Sequence, residues 1–283
     1  MAFVAVIGCG PIGGALAHKL ALGDRIREIR LIDPHPGMAQ GKALDILQSS
    51  AIDGFSARVT SAQALQSAAG AAAIAVADSG QTGAEHAGEP GLAMLRQIAA
   101  VETTAAIVFT GASQRELIAR AIAELHIGRS RVLGTAPAAL ESALRALAGL
   151  AIDGSGADIQ LQIVGTPPSP MAIGWEEATA SGAPLHSQAP PHALAALSAR
   201  VPQLWPPGPL SLAAAAARVV EGIVNGARRP YSCFVALEAG PARNSVVAMP
   251  VDLGPRGVAR VRQPALAPRE RTWMETAIEL KPF

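Results

Sequence analysis

The opening of the chain is its most constraining feature. "AFVAVIGCGPIGGALAHKL" runs an apolar stretch, Phe3–Ile7, into Gly8, Gly10 and Gly13 and then into a helical pattern over residues 12–22. Glycines at this spacing, after a strand and before a helix, specify one kind of turn. The first permits the tight bend, the second lets a pyrophosphate approach the backbone, and the third lets helix and strand pack closely. The helix start then offers free N–H groups and partial positive charge to an anion. Asp33 ends the next strand, "REIRLID", 20 residues after Gly13. A carboxylate there accepts hydrogen bonds from ribose hydroxyls and repels a 2′-phosphate, which makes NAD the expected cofactor. The expected cofactor-binding residues are Gly8, Gly10, Pro11, Ile12, Gly13 and Asp33, joined by Ala77 and Thr110 at the ends of later strands. Cys9, inside the loop, reads as a small filler.

The residues that follow keep the same alternation. Strands are predicted over Phe3–Ile7, Glu28–Ile32, Ala57–Thr60, Ala72–Ala77, Ala105–Thr110 and Arg131–Leu133, with helices over 12–22, 40–49, 91–101, 114–125 and 141–150. Alternating β and α elements call for a parallel sheet covered on both faces. After 150 the texture changes to a mixed α+β half. Its strands are predicted over 158–164, 232–237, 245–250 and 257–262, its helices over 190–200, 211–226 and 268–281, and 186–210 is proline-rich and irregular in part. The fold class is therefore α/β. A Rossmann dinucleotide-binding domain is expected over 1–140 and an α+β C-terminal domain over 141–283.

Composition sets limits on partners. A chain of 283 residues, half of them hydrophobic, has ample core. A net charge of +1 and 3% aromatic residues argue against nucleic-acid binding. No uncharged apolar run reaches 18 residues, so no membrane span is expected. Cys9 and Cys233 cannot form a disulfide framework, which fits a reduced, cytoplasmic setting. His35, His126, His186 and His192 show no metal-ligand spacing. Arg228 and Arg229, in "NGARRPYS", read as cations at a helix C-terminus.

Longer stretches resemble the malate dehydrogenases of the lactate/malate dehydrogenase family. They are the opening glycine segment, "GMAQGKALDILQSSAIDGF" (37–55), "RVLGTAPAALESALRA" (131–146), "MAIGWEEATASGAPL" (171–185) and "VVAMPVDLGPRGVARV" (246–261). They stand in family order. The resemblance implies a Rossmann cofactor domain joined to a malate dehydrogenase-like catalytic domain. It also implies a homo-oligomer, dimer or tetramer, through faces near the first helix and residues 41–55.

The residues that carry the family's chemistry do not follow. The resemblance places the proton-donating histidine at Pro167, in "IVGTPPSP", where the strand end meets a rigid proline corner. It places the carboxylate partner at Glu141, the substrate-clamping arginine at Leu144, the asparagine after the fifth strand at Gly111 and, with the least certain register, a small hydroxyl residue at Ala215. The lid, "DSGQTGAEHAGEPGLAML" (78–95), holds no Arg or Lys but carries Asp78, Glu85 and Glu89. A hydroxy-dicarboxylate needs bidentate guanidinium partners, and loss of a proton donor alone lowers rate by about 10²–10⁴. Malate and lactate are therefore not expected substrates. Two readings stand. In the first, an NAD-dependent oxidoreductase takes a neutral or cationic substrate, a C=N bond being one candidate, in a pocket of Asp78, Leu144, Pro167 and the acidic lid, with Glu141 or His86 as acid. In the second, the chain is an inactive descendant that serves as a dinucleotide-binding sensor or a structural subunit.

Overall fold

The protein is described by a computed structural model over residues 3–227, 229–238, 245–264 and 266–279. Six strands come from the first half: β1 (Phe3–Ile7), β2 (Glu28–Ile32), β3 (Arg58–Ala62), β4 (Ala73–Val76), β5 (Ala106–Phe109) and β6 (Val132–Gly134). They alternate with α1 (Pro11–Gly23), α2 (Pro36–Asp53), α3 (Gly88–Val101), α4 (Arg115–Ala123) and α5 (Ala136–Ala151). All six pair in parallel in the order β3-β2-β1-β4-β5-β6. β1, β4 and β5 are buried along their whole length, the apolar run that a parallel strand with both faces covered requires. Strand order reverses between β1 and β4, where Val6 faces Leu31 on one side and Ala75 on the other. The crevice at such a reversal, beyond the strands' C-terminal ends, is where doubly wound sheets bind ligands.

The second half extends this sheet. It contains β7 (Ile159–Gln160), β8 (Ile163–Gly165), β9 (Met171–Ile173), β10 (Thr179–Ala180), β11 (Ala183–Pro184), α6 (Pro191–Ala199), α7 (Val201–Leu204), α8 (Pro209–Asn225), β12 (Tyr231–Ala236), β13 (Val246–Gly254), β14 (Gly257–Val261) and α9 (Pro268–Glu279). β12 joins the edge of β6, and β13, β8 and β9 follow antiparallel, with β14 beside β13. The run expected as one strand over 158–164 divides at Leu161–Gln162: β7 enters a separate small sheet with β10 and β11, while β8 enters the main one. The helix expected from 141 begins at Ala136. Positions 280 and 281 of the last expected helix, and Arg228, lie outside the described residues.

Both faces of the sheet are covered. On one, Leu16, Ala17 and Leu20 of α1 meet Ala213, Ala216 and Val220 of α8 over Val6, Leu31 and Val108. The small side chains let the two helices approach closely. On the other face, Leu92, Leu95 and Ile98 of α3 and Leu117 and Ile118 of α4 cover Ile7, Ile74 and Phe109. A third cluster joins Leu140 and Leu144 of α5 to Ile163, Met171, Leu185 and Leu197.

Candidate functional site: the crevice between the first and fourth strands

The glycine loop has the shape its sequence predicts. Gly8 sits at φ +93°, where L side chains are strained, and a Cβ on Gly13 would lie 2.0 Å from the Gly8 carbonyl oxygen. Gly10 caps α1 and Pro11 occupies its first turn. What faces this loop is another part of the same chain. Asp78, just past β4, is buried, and its carboxylate takes two N–H groups at the helix start. Ile12 N–H donates to Oδ2 at 2.9 Å and Gly13 N–H to Oδ1 at 2.8 Å. A Cβ on Gly10 would lie 2.6 Å from the same carboxyl carbon. The space that the second glycine leaves open is thus filled by Asp78.

Asp33 is buried at the end of β2 and is equally engaged. Its Oδ2 accepts from Cys9 N–H and from Gly80 N–H, both at 3.0 Å, and its Oδ1 accepts from His35 N–H at 3.0 Å. Gly80 belongs to segment 79–87, which folds back over the crevice. Asp78 and Glu85 pair across its base, and Ser79 N–H donates to the Ala84 carbonyl at 2.8 Å. Glu85 then reaches the turn after β5. Its Oε1 accepts from Ala112 N–H and its Oε2 from Ser113 N–H, both at 2.8 Å, and Ser113 Oγ–H donates to Oε2 as well. A Cβ on Gly111 would strike this carboxyl at 2.2 Å. Gln114 fixes the arrangement: its Oε1 accepts from Gly111 N–H at 2.8 Å, and its Nε2–H groups donate to the Ala77 and His86 carbonyls at 3.3 Å. His86 is turned inward. Burial pushes its imidazole below the ordinary histidine range, the nearby charges of Asp33 and Asp78 pull it up less strongly, and Nε2 has no hydrogen-bond partner.

The acidic pocket expected from the lid is therefore not assembled. Asp78 lies in the glycine loop, Glu85 on the turn after β5, and Glu89 is exposed and paired with Arg120 of α4 at 2.6 Å. Glu141 lies elsewhere. It accepts from Ser232 Oγ–H at 2.6 Å and lines a separate cavity of about 270 Å³ with Arg145, Gln160, Arg229 and Tyr231. Burial pushes its carboxyl up, opposed by the Ser232 hydrogen bond and the charge of Arg145. Leu144 is fully buried in the third core cluster, so it lines no substrate pocket. Pro167 is buried at the end of β8 in a closed corner, where Thr166 N–H donates to the Pro170 carbonyl at 2.6 Å. Its neighbours Pro168 and Ser169 line a cavity with Met171, Trp175 and Val201, apart from Glu141. Ala77 and Thr110 are buried strand-end residues held to Ile7 and Val76. Sequence reasoning did not single out Gln114 or Ser113. The signal for Asp78 was present: an acidic residue directly after an apolar strand, facing a glycine loop.

Cofactor fit can be tested on these contacts. A dinucleotide phosphate needs the N–H groups at the start of α1 and the open face of Gly10; here both belong to Asp78. As they stand, these residues do not fit the group. Among the described residues no cluster of three or more His, Cys, Asp or Glu could hold a metal, and no helix is long and apolar enough to cross a membrane.

Solved structures place this architecture. The malate dehydrogenase of Salinibacter ruber superposes with a TM-score of 0.84 at 23% identity, covering 97% of this chain and 93% of that one. The chain has the malate and lactate dehydrogenase fold. The lactate dehydrogenase of Cryptosporidium parvum, solved with lactic acid and nicotinamide adenine dinucleotide, gives 0.85 at 18% identity over 98% of this chain and 94% of that one. The malate dehydrogenase of Picrophilus torridus, solved in its apo form, gives 0.84 at 19%. In sequence, the malate dehydrogenase of Pelagibacter ubique is 47% identical over 55 residues, which is 19% of this chain and 17% of that relative. No family model matches the chain. The dehydrogenase fold thus extends over nearly the whole chain.

Proposed function

We propose that this chain is a non-catalytic protein built on the malate dehydrogenase fold, retained as a subunit that assembles with copies of itself in the cytoplasm. The reading is supported chiefly by two positions, one just past β8 and one within α5, where the dehydrogenase resemblance expects a proton donor and an anion clamp. Those positions hold Pro167, in a closed corner, and Leu144, in the core. Neither side chain can move a proton or hold a carboxylate. Glu141, the partner left over, is hydrogen-bonded to Ser232 in a different cavity. A self-assembling role is supported by α2, which exposes Leu44, Leu47 and Ile52 within one face, and two buried, unpaired cysteines suit a reducing compartment.

The test is turnover by the purified protein. Malate, oxaloacetate, lactate and pyruvate are offered with NAD(H) and with NADP(H), and cyclic imines and amino-ketones with NADH. A typical enzyme turns over at roughly 10 s⁻¹, and loss of the proton donor removes about 10²–10⁴ of that. The expected rate with every substrate is below ~0.1 s⁻¹, the upper bound those two figures set. Malate or lactate oxidation near 1 s⁻¹ would refute the reading, and so would brisk NADH oxidation by an imine, which would favour a divergent oxidoreductase instead.

A further inference from the structure

We infer that the dinucleotide site of this protein is occupied by its own chain: Asp78 stands where the cofactor's phosphate would lie, and residues 79–87 strap the crevice shut. Three independent contacts carry this. The Asp78 carboxylate takes the Ile12 and Gly13 N–H groups with one oxygen each, as a bound phosphate oxygen would. Gly10 and Gly111, the two open backbone positions flanking the crevice, both face a carboxylate of this chain, from Asp78 and Glu85 respectively. Asp33 accepts from the Cys9, His35 and Gly80 N–H groups, and Gly80 is part of the strap itself.

Charge reinforces shape. A pyrophosphate entering the loop would meet a buried carboxylate of like sign within the same cradle, and like charges at short range in a poorly solvated site repel strongly. The strap has no Lys or Arg to offset this. Its tip lies over the helix start, with a Cβ built on Gly83 3.7 Å from the Pro11 ring. Cofactor entry would require Asp78 to leave two hydrogen bonds and Glu85 to leave the Ala112–Ser113 turn. The loop therefore keeps its glycines because an internal carboxylate needs the same cradle that a phosphate does.

This deepens the proposed loss of dehydrogenase chemistry and is tested apart from it, by binding rather than turnover. NADH fluorescence and calorimetric titrations with ADP-ribose and inorganic pyrophosphate are run on the wild type, Asp78→Ala and Asp78→Asn, with circular dichroism and melting to verify folding. The wild type is expected not to saturate below 1 mM, about the range of −4 kcal/mol. Asp78→Ala, which clears the cradle, is expected to bind NADH and pyrophosphate at least tenfold more tightly. Asp78→Asn keeps the volume and an acceptor but drops the charge, and is expected to fall between the two. If Asp78→Ala does not fold, a gain by Asp78→Asn over the wild type supports the proposal and the absence of any gain overturns it. Micromolar NADH binding by the wild type, left unchanged by either substitution, overturns the self-occupied loop. If it comes without turnover, the non-catalytic reading survives alone; turnover would remove both.

Discussion

At the scale of single residues, Glu102 shows how backbone donors decide a carboxylate's state. Burial pushes its carboxyl up, yet four hydrogen bonds from Thr104 N–H and Oγ–H, Ala105 N–H and Gly70 N–H outweigh this and hold it at about 2. It thereby ties the turns that enter β4 and β5. A carboxyl held below its unfolded value favours the fold when ionised. Its stabilisation is complete above the unfolded value of 4.5 and is lost as pH falls from 4.5 toward about 2. Glu102→Gln is expected to lower stability at pH 7 by about 1–3 kcal/mol, since one N–H donor loses its acceptor in a buried place. It should also flatten the melting-temperature curve between pH 4.5 and 2. Parallel acid limbs for wild type and variant would show that Glu102 does not govern them. The same logic explains why Asp33, Asp78 and Glu85 were read from sequence as ligand-facing. A carboxylate's type and position are legible, but the backbone N–H groups that Asp33 and Asp78 meet in the glycine loop and at the start of α1 lie 24 and 66 residues away.

At the scale of elements, the first half was legible because its signals are local: apolar runs of four or five residues, periodic helices, and glycines at the turn between β1 and α1. β9, β10 and β11 were not predicted. They hold two or three residues each and exist only because a neighbouring strand pairs with them. The segment 78–95 reads in sequence as an acidic lid for the same reason, since Asp78 and Glu85 meet the Ile12, Gly13, Ala112 and Ser113 amides rather than a substrate. Glu85 is its main anchor, with three hydrogen bonds to one turn. Glu85→Ala should loosen the strap without unfolding the sheet beneath it. The expected result is at least tenfold faster amide exchange at Ser79 and Gly83, with a small change in melting temperature because the loss is local. Unchanged exchange at those amides would mean that the segment is held by something other than Glu85.

At the scale of the whole molecule, the chain has the dehydrogenase fold, and on the proposed reading its function rests on its surfaces rather than on the crevice. The most apolar exposed face among the described residues that the sequence also marks as family-like is α2. Leu44 is 54% exposed and Ile52 89%, with Leu47 of the same helix and Leu22 of α1 also exposed. Singly exposed leucines need no explanation, but several on one helix face do. α2 is anchored from beneath by Ala39, Ala43 and Ile46, and His18 of α1 meets Asp53 at its end at 3.3 Å, so the face is presented on a fixed support. Two copies joined through α2 would cover these side chains from water, each apolar Å² contributing about 25 cal/mol before association costs. Light scattering of the wild type is expected to give a dimer or tetramer at micromolar concentration. Leu44→Glu, placing a charge at the centre of that face, is expected to shift it to monomer while far-ultraviolet circular dichroism stays unchanged. A wild type that remains monomeric at every concentration would remove the assembly role, and a Leu44→Glu variant with undiminished assembly would move the interface to another surface.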